Sequence, residues 1–298
     1  MRDPFSELLG ALRLETLEAN LFRGPSQDLG WGAVFGGQVL GQALSAAAQT
    51  VPADRPVHSL HGYFLRQGDA TRPIVYEVDR IRDGGSFTTR RVVALQSGKA
   101  IFSLSASFQA DELGHDHQEP SAPEAPAPET LWSEAEWVER LGDRLPIGLR
   151  SVDVARPIEI RPIDVADPVS PDPQRAYRRV WMKTAGPLPD DAAVHRYLLA
   201  YASDFYLLTT ALLPVGLNWL TPGMQVASLD HAMWFHRPFR FDDWLLYEMT
   251  GPTIQGARGL AMGRFFDRQG RLVASTAQEG LVRDHDGERR AGLAKSSR

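Results

Sequence analysis

Between His58 and Gln109 apolar and polar residues alternate with a period of two, in the runs VHSLHGYFLRQ, PIVYEVDRIRDG, SFTTRRVVALQSG and KAIFSLSASFQ. That period predicts strands with one buried face. Asp83-Gly84 and Ser97-Gly98 are hairpin signals between them. The block reads as a four-stranded antiparallel meander. Ahead of it, Leu8–Leu17 reads as a short surface helix, Asn20–Gly24 as a strand, and Ser26–Phe35 as a glycine-rich turn or second strand. Gly36–Val51, GGQVLGQALSAAAQTV, reads as a helix of small residues suited to close contact with a sheet.

The alternation stops at Asp111–Glu129, DELGHDHQEPSAPEAPAPE, which is acidic and proline-rich. It reads as a linker over the surface. Leu131–Leu141 reads as a short helix, and Arg156–Asp164 and Ala176–Thr184 as strands. Asp190–Pro214 then shows apolar residues at three- and four-residue steps: Val194, Leu198, Tyr201, Phe205, Leu208 and Leu212. That spacing predicts one long, interior helix, capped by Asp190 and Asp191 and stopped by Pro214. Four more strands follow, Gln225–Pro238, Trp244–Gly251, Arg258–Asp267 and Leu272–Arg283, with Gln269-Gly270 as a hairpin turn.

The two halves repeat. Tyr63-Phe64-Leu65-Arg66 matches Trp234-Phe235-His236-Arg237, and Val75-Tyr76-Glu77-Val78 matches Leu246-Tyr247-Glu248-Met249, both at an offset of 171 residues. After a one-residue slip, Gly98-Lys99 matches Gly270-Arg271 and Ser103 matches Ser275. Two copies of a strand–helix–meander unit are therefore expected, residues 1–110 and 151–298, joined by a linker and short helix over 111–150. Each copy is a hot-dog unit, a helix wrapped by an antiparallel sheet. Side by side they would form one continuous sheet and bury an edge of each, an α+β double hot-dog.

Composition narrows the chemistry. The absence of cysteine excludes disulfides, thiolate zinc sites and cysteine nucleophiles. The net charge of −5, without a long basic run, argues against nucleic-acid partners. No secretory core and no apolar run of membrane-spanning length occurs, so a cytoplasmic protein with no membrane association is expected. His115 and His117 lack further ligands at useful spacing, so no metal is expected.

The repeat also shows where the halves differ. Gln278 stands opposite Ala106, and Ser228 opposite Val57, so polar residues in the second half replace apolar ones in the first. Asp204 lies within the apolar helix of the second half, where an ionised carboxylate costs several kcal/mol unless partnered. Two readings of it are open, a satisfied structural acid and a general base. Asp204, Ser228 and Gln278 together have the groups to hold and deprotonate one water, as hydrolysis of an activated acyl bond requires. The sheet position of Ser228 and Gln278 is equally compatible with ordinary strand polarity. Gly36-Gly37 either makes a tight turn or lets a ligand approach backbone N–H groups. A Ser–His–Asp triad from Ser228, Asp204 and one of His58, His61, His231 or His236 lacks the G-x-S-x-G elbow. Arg66, Arg90, Arg91 and Arg237 are either phosphate contacts or solvated strand residues.

The segments LFRGPSQDLG, VFGGQVLGQAL, VHSLHGYFLRQGD, the Arg82–Gly84 RDG followed by SFTTRRV, LLAYASDF, LDHAMWFHRPF and VASTAQEG closely resemble the acyl-CoA thioesterase II family. The resemblance runs from about Leu14 to Arg283, most of the chain. It implies a double hot-dog enzyme, typically oligomeric (dimer or tetramer), that hydrolyses fatty acyl-CoA to free acid and CoA without metal or cofactor. The family's Asp, Thr or Ser, and Gln fall on Asp204, Ser228 and Gln278. Serine here keeps the hydroxyl and loses a methyl, which loosens rotamer control. Gly36, Gly37, Gln38 and His58 are expected beside the acyl-CoA. A hot-dog hydratase acting on enoyl-CoA and a non-catalytic acyl-CoA binding protein are the competing expectations.

Overall fold

A computed structural model describes residues 3–30, 32–145, 157–167 and 172–287. Arg156 and the boundary at 150/151 lie outside the described residues. The meander forms as its alternation predicts: β3 (Val57–Phe64), β4 (Ile74–Asp83), β5 (Phe87–Gln96) and β6 (Lys99–Gln109). Ser97 and Gly98 both adopt positive φ, 50° and 73°, as the two-residue turn of a tight hairpin demands. β1 (Glu15–Glu18) and β2 (Leu21–Gly24) extend its edge. In the second half, β7 (Ile158–Pro162), β8 (Tyr177–Thr184), β9 (Met224–Ser228), β10 (Asp230–Phe235), β11 (Leu245–Gln255), β12 (Arg258–Phe266) and β13 (Leu272–Asp284) complete a 13-stranded antiparallel sheet.

The strand order β1-β2-β4-β5-β6-β3-β10-β13-β12-β11-β8-β7 reads the same from either end once each strand is exchanged for its repeat partner. At the seam His61 pairs with Ala232, its own counterpart at the repeat offset. An approximate two-fold axis therefore passes through that pair. The architecture is the double hot-dog, with both edges of the seam consumed by β3–β10 pairing.

The sausages are α2 (Gly36–Ala48) and α4 (Ala192–Ala202). α2 packs on the sheet as its small residues predict, and its Gly37–Gly41 face also meets α4. A Cβ on Gly37 would overlap the Tyr201 carbonyl oxygen, and one on Gly41 would sit 3.0 Å from the Tyr197 carbonyl oxygen. Glycines four apart thus let two antiparallel helices touch backbone to backbone. A single core of aliphatic and aromatic side chains, including Leu40, Leu44, Tyr76, Leu198, Tyr201 and Tyr247, runs through both halves.

Other expectations change or sharpen. The first helix, α1, is Pro4–Leu12, capped by Asp3, which accepts from Phe5 and Ser6 N–H. It is docked rather than superficial, because Phe5, Leu8 and Leu12 are buried in the core. The acidic linker runs over the surface as expected and is pinned there as a strap. Gln118 donates to the Gly270 carbonyl (2.9 Å) and accepts from Leu272 N–H (2.7 Å), while Trp181 Nε1 donates to the Pro126 carbonyl (2.9 Å). Beneath it Trp181, Trp244, Leu246 and Phe266 bury against Ala122, Ala125 and Leu131, before α3 (Glu134–Leu141) begins. The long helix expected over Asp190–Pro214 is broken. Asp191 caps α4 through Ala193 N–H (2.9 Å), but α4 ends at Ala202, and a one-turn α5 (Leu207–Thr210) follows. No single helix among the described residues is long and apolar enough to cross a membrane.

Candidate active site

The helix break puts Asp204 where it is. Ser203 still closes α4, donating its N–H to the Leu199 carbonyl (2.8 Å), but its hydroxyl bonds back to the Ala200 carbonyl (2.8 Å). Such side-chain competition weakens the next helical turn. Tyr206 then takes φ 65°, a left-handed conformation costing a non-glycine residue roughly 1–2 kcal/mol. The turn aims the Asp204 carboxylate at the start of α2. Gly36 leaves the space for it: a Cβ there would lie 2.7 Å from Asp204 Oδ2.

Ser228 arrives by a second irregularity. The single strand expected over Gln225–Pro238 splits into β9 and β10 at Leu229. The Leu229 N–H is drawn to the Glu279 carbonyl (3.0 Å), and its own carbonyl accepts from Phe64 N–H (2.9 Å). Gln278 comes from the regular alternation of β13 and is fully buried. Its Nε2 donates to Asp204 Oδ1 at 2.7 Å and to Ser228 Oγ at 2.9 Å. Ser228 in turn bonds the Asp204 carboxylate, and Gly37 donates its backbone N–H to it. The acid therefore has three donors, and a carboxylate offers about four acceptor positions. Gln278 Oε1 is buried and has no hydrogen-bond partner among the described residues.

Burial pushes the Asp204 pKa above the ordinary aspartate value, and the bonds from Gln278, Gly37 and Ser228 pull against that shift. A partial charge of about +0.5 at the α2 N-terminus favours the ionised form as well. Phe35, stacked on Phe205 at 4.6 Å and edge-on to Tyr201 at 5.2 Å, walls the site, and the Phe64 ring lies within 3.1 Å of a Cβ at Gly36. A carboxylate kept ionisable in apolar surroundings, with a hydroxyl and an amide beside it, is suited to proton abstraction from water.

Behind Asp204 lies a buried polar layer that the sequence reading missed. His231 Nε2 is 2.9 Å from Ser203 Oγ. Tyr247 donates its hydroxyl to the Ser203 carbonyl (3.0 Å) and meets Thr276 Oγ1 at 2.9 Å.

A family model described as acyl-CoA thioesterase matches residues 154–281, and one described as the acyl-CoA thioesterase N-terminal domain matches 25–109. The chain is 42% identical over 284 residues to acyl-CoA thioesterase 2 of Haemophilus influenzae, covering 95% of this chain and 99% of that protein. This chain belongs to the acyl-CoA thioesterase family. A solved structure of the family, acyl-CoA thioesterase II from Mycobacterium marinum, superposes with a TM-score of 0.74 at 42% identity, over 95% of this chain and 99% of the other. A protein of unknown function with a hot-dog fold from Alicyclobacillus acidocaldarius reaches 0.75 at 18% identity over 93% and 97%, a likeness of fold.

Of the positions the family resemblance suggested, the structure gathers Asp204, Ser228, Gln278, Gly36 and Gly37. Gln38 turns away: its amide accepts from Gln27 N–H (3.0 Å) and donates to the Pro25 carbonyl (2.8 Å), bracing the preceding loop. His58 lies with Ser107, at 2.8 Å, and Phe87, apart from the Asp204 set. The Ser–His–Asp arrangement does not form, because Ser228 meets Gln278 and His231 meets Ser203. Arg90 is completely buried on Thr50 and Asp83, which removes it as a phosphate contact. Arg91 pairs with Asp79, Arg66 with the Ala100 carbonyl, and Arg237 with the Leu272 carbonyl and Asp116. Among the described residues no group of three or more His, Cys, Asp or Glu could hold a metal.

Proposed function

We propose that this chain hydrolyses acyl-CoA thioesters to free acid and CoA by direct attack of a water that Asp204 deprotonates. The observation carrying this reading is the Gln278 amide, which bridges Asp204 and Ser228 within 2.9 Å in a buried setting. The fourth acceptor position of the carboxylate takes one water proton, and Gln278 Oε1 or the Ser228 oxygen takes the other. The water lone pair then faces the thioester carbon. Addition gives a tetrahedral oxyanion, and collapse breaks the C–S bond. The thiolate leaves without strong acid assistance, since a thiol is far more acidic than an alcohol; a cysteine thiol titrates at about 8.5. The proton held on Asp204 passes to the thiolate or to solvent. Positioning and base catalysis of this kind typically supply about 10²–10⁴-fold from the base alone.

The apolar walls of Phe35, Phe64 and Phe205 suit an acyl chain beside the carboxylate. Fatty acyl-CoA is therefore the substrate class we infer, with Gly36 and Gly37 as its neighbours. The names of the two relatives at 42% identity, both acyl-CoA thioesterases, support the same class. We further infer a cytoplasmic homo-oligomer, dimer or tetramer. Exposed Tyr63, Leu65, Phe87 and Met262 support association. No cofactor enters the reaction as written.

Thiol release from acyl-CoA, read beside hydration of an enoyl-CoA, tests the function. Thiol release without hydration is expected, and hydration without thiol release would sink the reading. The acid limb of kcat/KM carries a second expectation. Asp204 must be ionised to act, and its pKa lies above the ordinary 3.8. Activity is full above that raised pKa and falls as pH drops through it, with a midpoint above 3.8. A midpoint at or below the ordinary value would contradict the assignment of Asp204 as base.

A further inference from the structure

We propose that His231 and Tyr247 are positioning residues that fix the Asp204 carboxylate by holding both polar ends of Ser203. The inference rests on the reading of Asp204 as the base. Ser203 is fully buried and immediately precedes Asp204 at the helix break. Its hydroxyl donates to the Ala200 carbonyl, so its oxygen receives the His231 Nε2–H at 2.9 Å. Its carbonyl receives the Tyr247 hydroxyl at 3.0 Å. With both groups held, the Ser203–Asp204 peptide has little freedom to rotate. The direction of the carboxylate is then set from behind, by residues that never reach the substrate.

The same bonds tie Asp204 to the strand that carries Gln278. Tyr247 meets Thr276 at 2.9 Å, and Thr276 is two residues from Gln278 on the inward face of β13. The β10–β13 register pairs Ala232 with Ala277, so His231 stands one step along the ladder, beside Gln278. Asp230 next to it accepts from Glu279 N–H at 2.7 Å. The base and the amide that bridges it to Ser228 are thus referenced to one frame.

Three features set this layer apart from ordinary core. First, it is confined to the half that carries Asp204. At the repeat offset His231 stands where the first half has Leu60, and Thr276 where it has Leu104, both buried. Gly263 stands where the first half has Val92. A Cβ there would lie 2.6 Å from Thr276 Oγ1 and would also strike the Tyr247 ring, so the glycine makes room for the bond. These substitutions extend the pattern already seen at Ser228 and Gln278.

Second, His231 is a poor choice for stability. It is 1% exposed, its Nδ1 has no partner among the described residues, and burial pushes its pKa down to about 3. A half-satisfied imidazole in the interior is less favourable than the leucine of the other half. Third, the tyrosines have diverged in what they hold. Tyr76, the counterpart of Tyr247, gives its hydroxyl to a side chain, Gln42 (2.7 Å), whereas Tyr247 gives its own to the backbone beside the base.

The test is a double-mutant cycle of His231→Leu with Asp204→Asn, repeated with Tyr247→Phe, reading kcat, KM and Tm on an acyl-CoA. His231→Leu installs the residue of the first half. A shift of about 1 Å at a reacting group can cost about 10²-fold, so kcat is expected to fall about 10- to 100-fold. KM should stay within about 2-fold, and Tm should stay level or rise. In the Asp204→Asn background the same change should alter the residual rate by less than about 2-fold, because the group being positioned is gone. A wild-type kcat in both His231→Leu and Tyr247→Phe, while Asp204→Asn is crippled, would overturn this proposal and leave the base assignment standing. Full additivity of the losses would overturn it too. Near-normal hydrolysis by Asp204→Asn alone would overturn the base assignment and this proposal with it. Tyr247→Phe removes a single oxygen and keeps the comparison available if His231→Leu does not fold.

Discussion

Asp204→Asn is expected to lower kcat by about 10²–10⁴-fold, the range spanned by removal of a positioned general base. The carboxamide keeps the shape and can still accept from Gln278 Nε2, which lies 2.7 Å from Oδ1. What it loses is the ability to take a proton. The interaction is made with the transition state, so KM should change little while kcat and kcat/KM fall together. The fold should survive. The site already disfavours the charged form of Asp204, because burial raises its pKa. A neutral isostere relieves that desolvation cost, and Tm should be equal or slightly higher. Thiol release and a thermal melt on the same preparation check both halves. A variant that hydrolyses acyl-CoA at near-normal rate would remove Asp204 from the chemistry.

Gly37→Ala is expected to damage stability and catalysis together. A Cβ at Gly37 would overlap the Tyr201 carbonyl oxygen and lie 2.5 Å from the Phe35 ring. The ring can turn, but the carbonyl belongs to helix α4 and is held within the core. The helices must separate, and overpacking of this kind costs about 1–3 kcal/mol. A loss near the upper end corresponds to a Tm lower by roughly 5 °C. The same residue donates its N–H to Asp204, so displacement of α2 also disturbs the base. Gly10→Ala is the control. It lies in α1 with nothing within 4 Å of the new methyl, and it should leave Tm unchanged or raise it. Calorimetry on the two variants separates close helix contact from a general intolerance of alanine.

Much of the scaffold is legible in the chain because it is written in local rules. Period-two alternation and the Ser97-Gly98 turn mark strands whichever partner they find. The repeat offset survives because Phe64 and Phe235, or Tyr76 and Tyr247, occupy the same layer of matching strands. The break at Ser203–Tyr206 is a different case. The segment ASDFYLLTT contains neither glycine nor proline, and its apolar spacing continues through the break. The bond of the Ser203 hydroxyl to the Ala200 carbonyl loosens the turn, and tertiary bonds complete the break, from Tyr247 and His231 onto Ser203 and from Gly37 onto Asp204. No local pattern encodes them. The split at Leu229 is similar, since the Glu279 carbonyl and the Phe64 N–H that bend the strand come from far along the chain.

The strap teaches the complementary lesson. Residues 111–129 are polar and proline-rich and read as a surface linker, and Pro126 and Gln118 bond that linker to the sheet. The signal lay on the strands beneath. Trp181, Trp244 and Leu246 require a cover, and only the topology says which segment supplies it. For the site, comparison of the halves was the productive signal. It marked Ser228 and Gln278 directly, and the same comparison at Leu60 and Leu104 marks His231 and Thr276. It gave no hold on Gln38 or His58, whose polar groups serve the Pro25–Gln27 loop and Ser107.

In the proposed reaction water attacks the thioester directly, and the Asp204 carboxylate takes a proton and never an acyl group. Single-turnover hydrolysis in ¹⁸O-water, with enzyme in excess over acyl-CoA, addresses this step alone. One ¹⁸O is expected in the released fatty acid and none in the peptide that contains Asp204. Incorporation of ¹⁸O into the Asp204 carboxylate, with unlabelled acid released, would show an acyl-enzyme anhydride and contradict it.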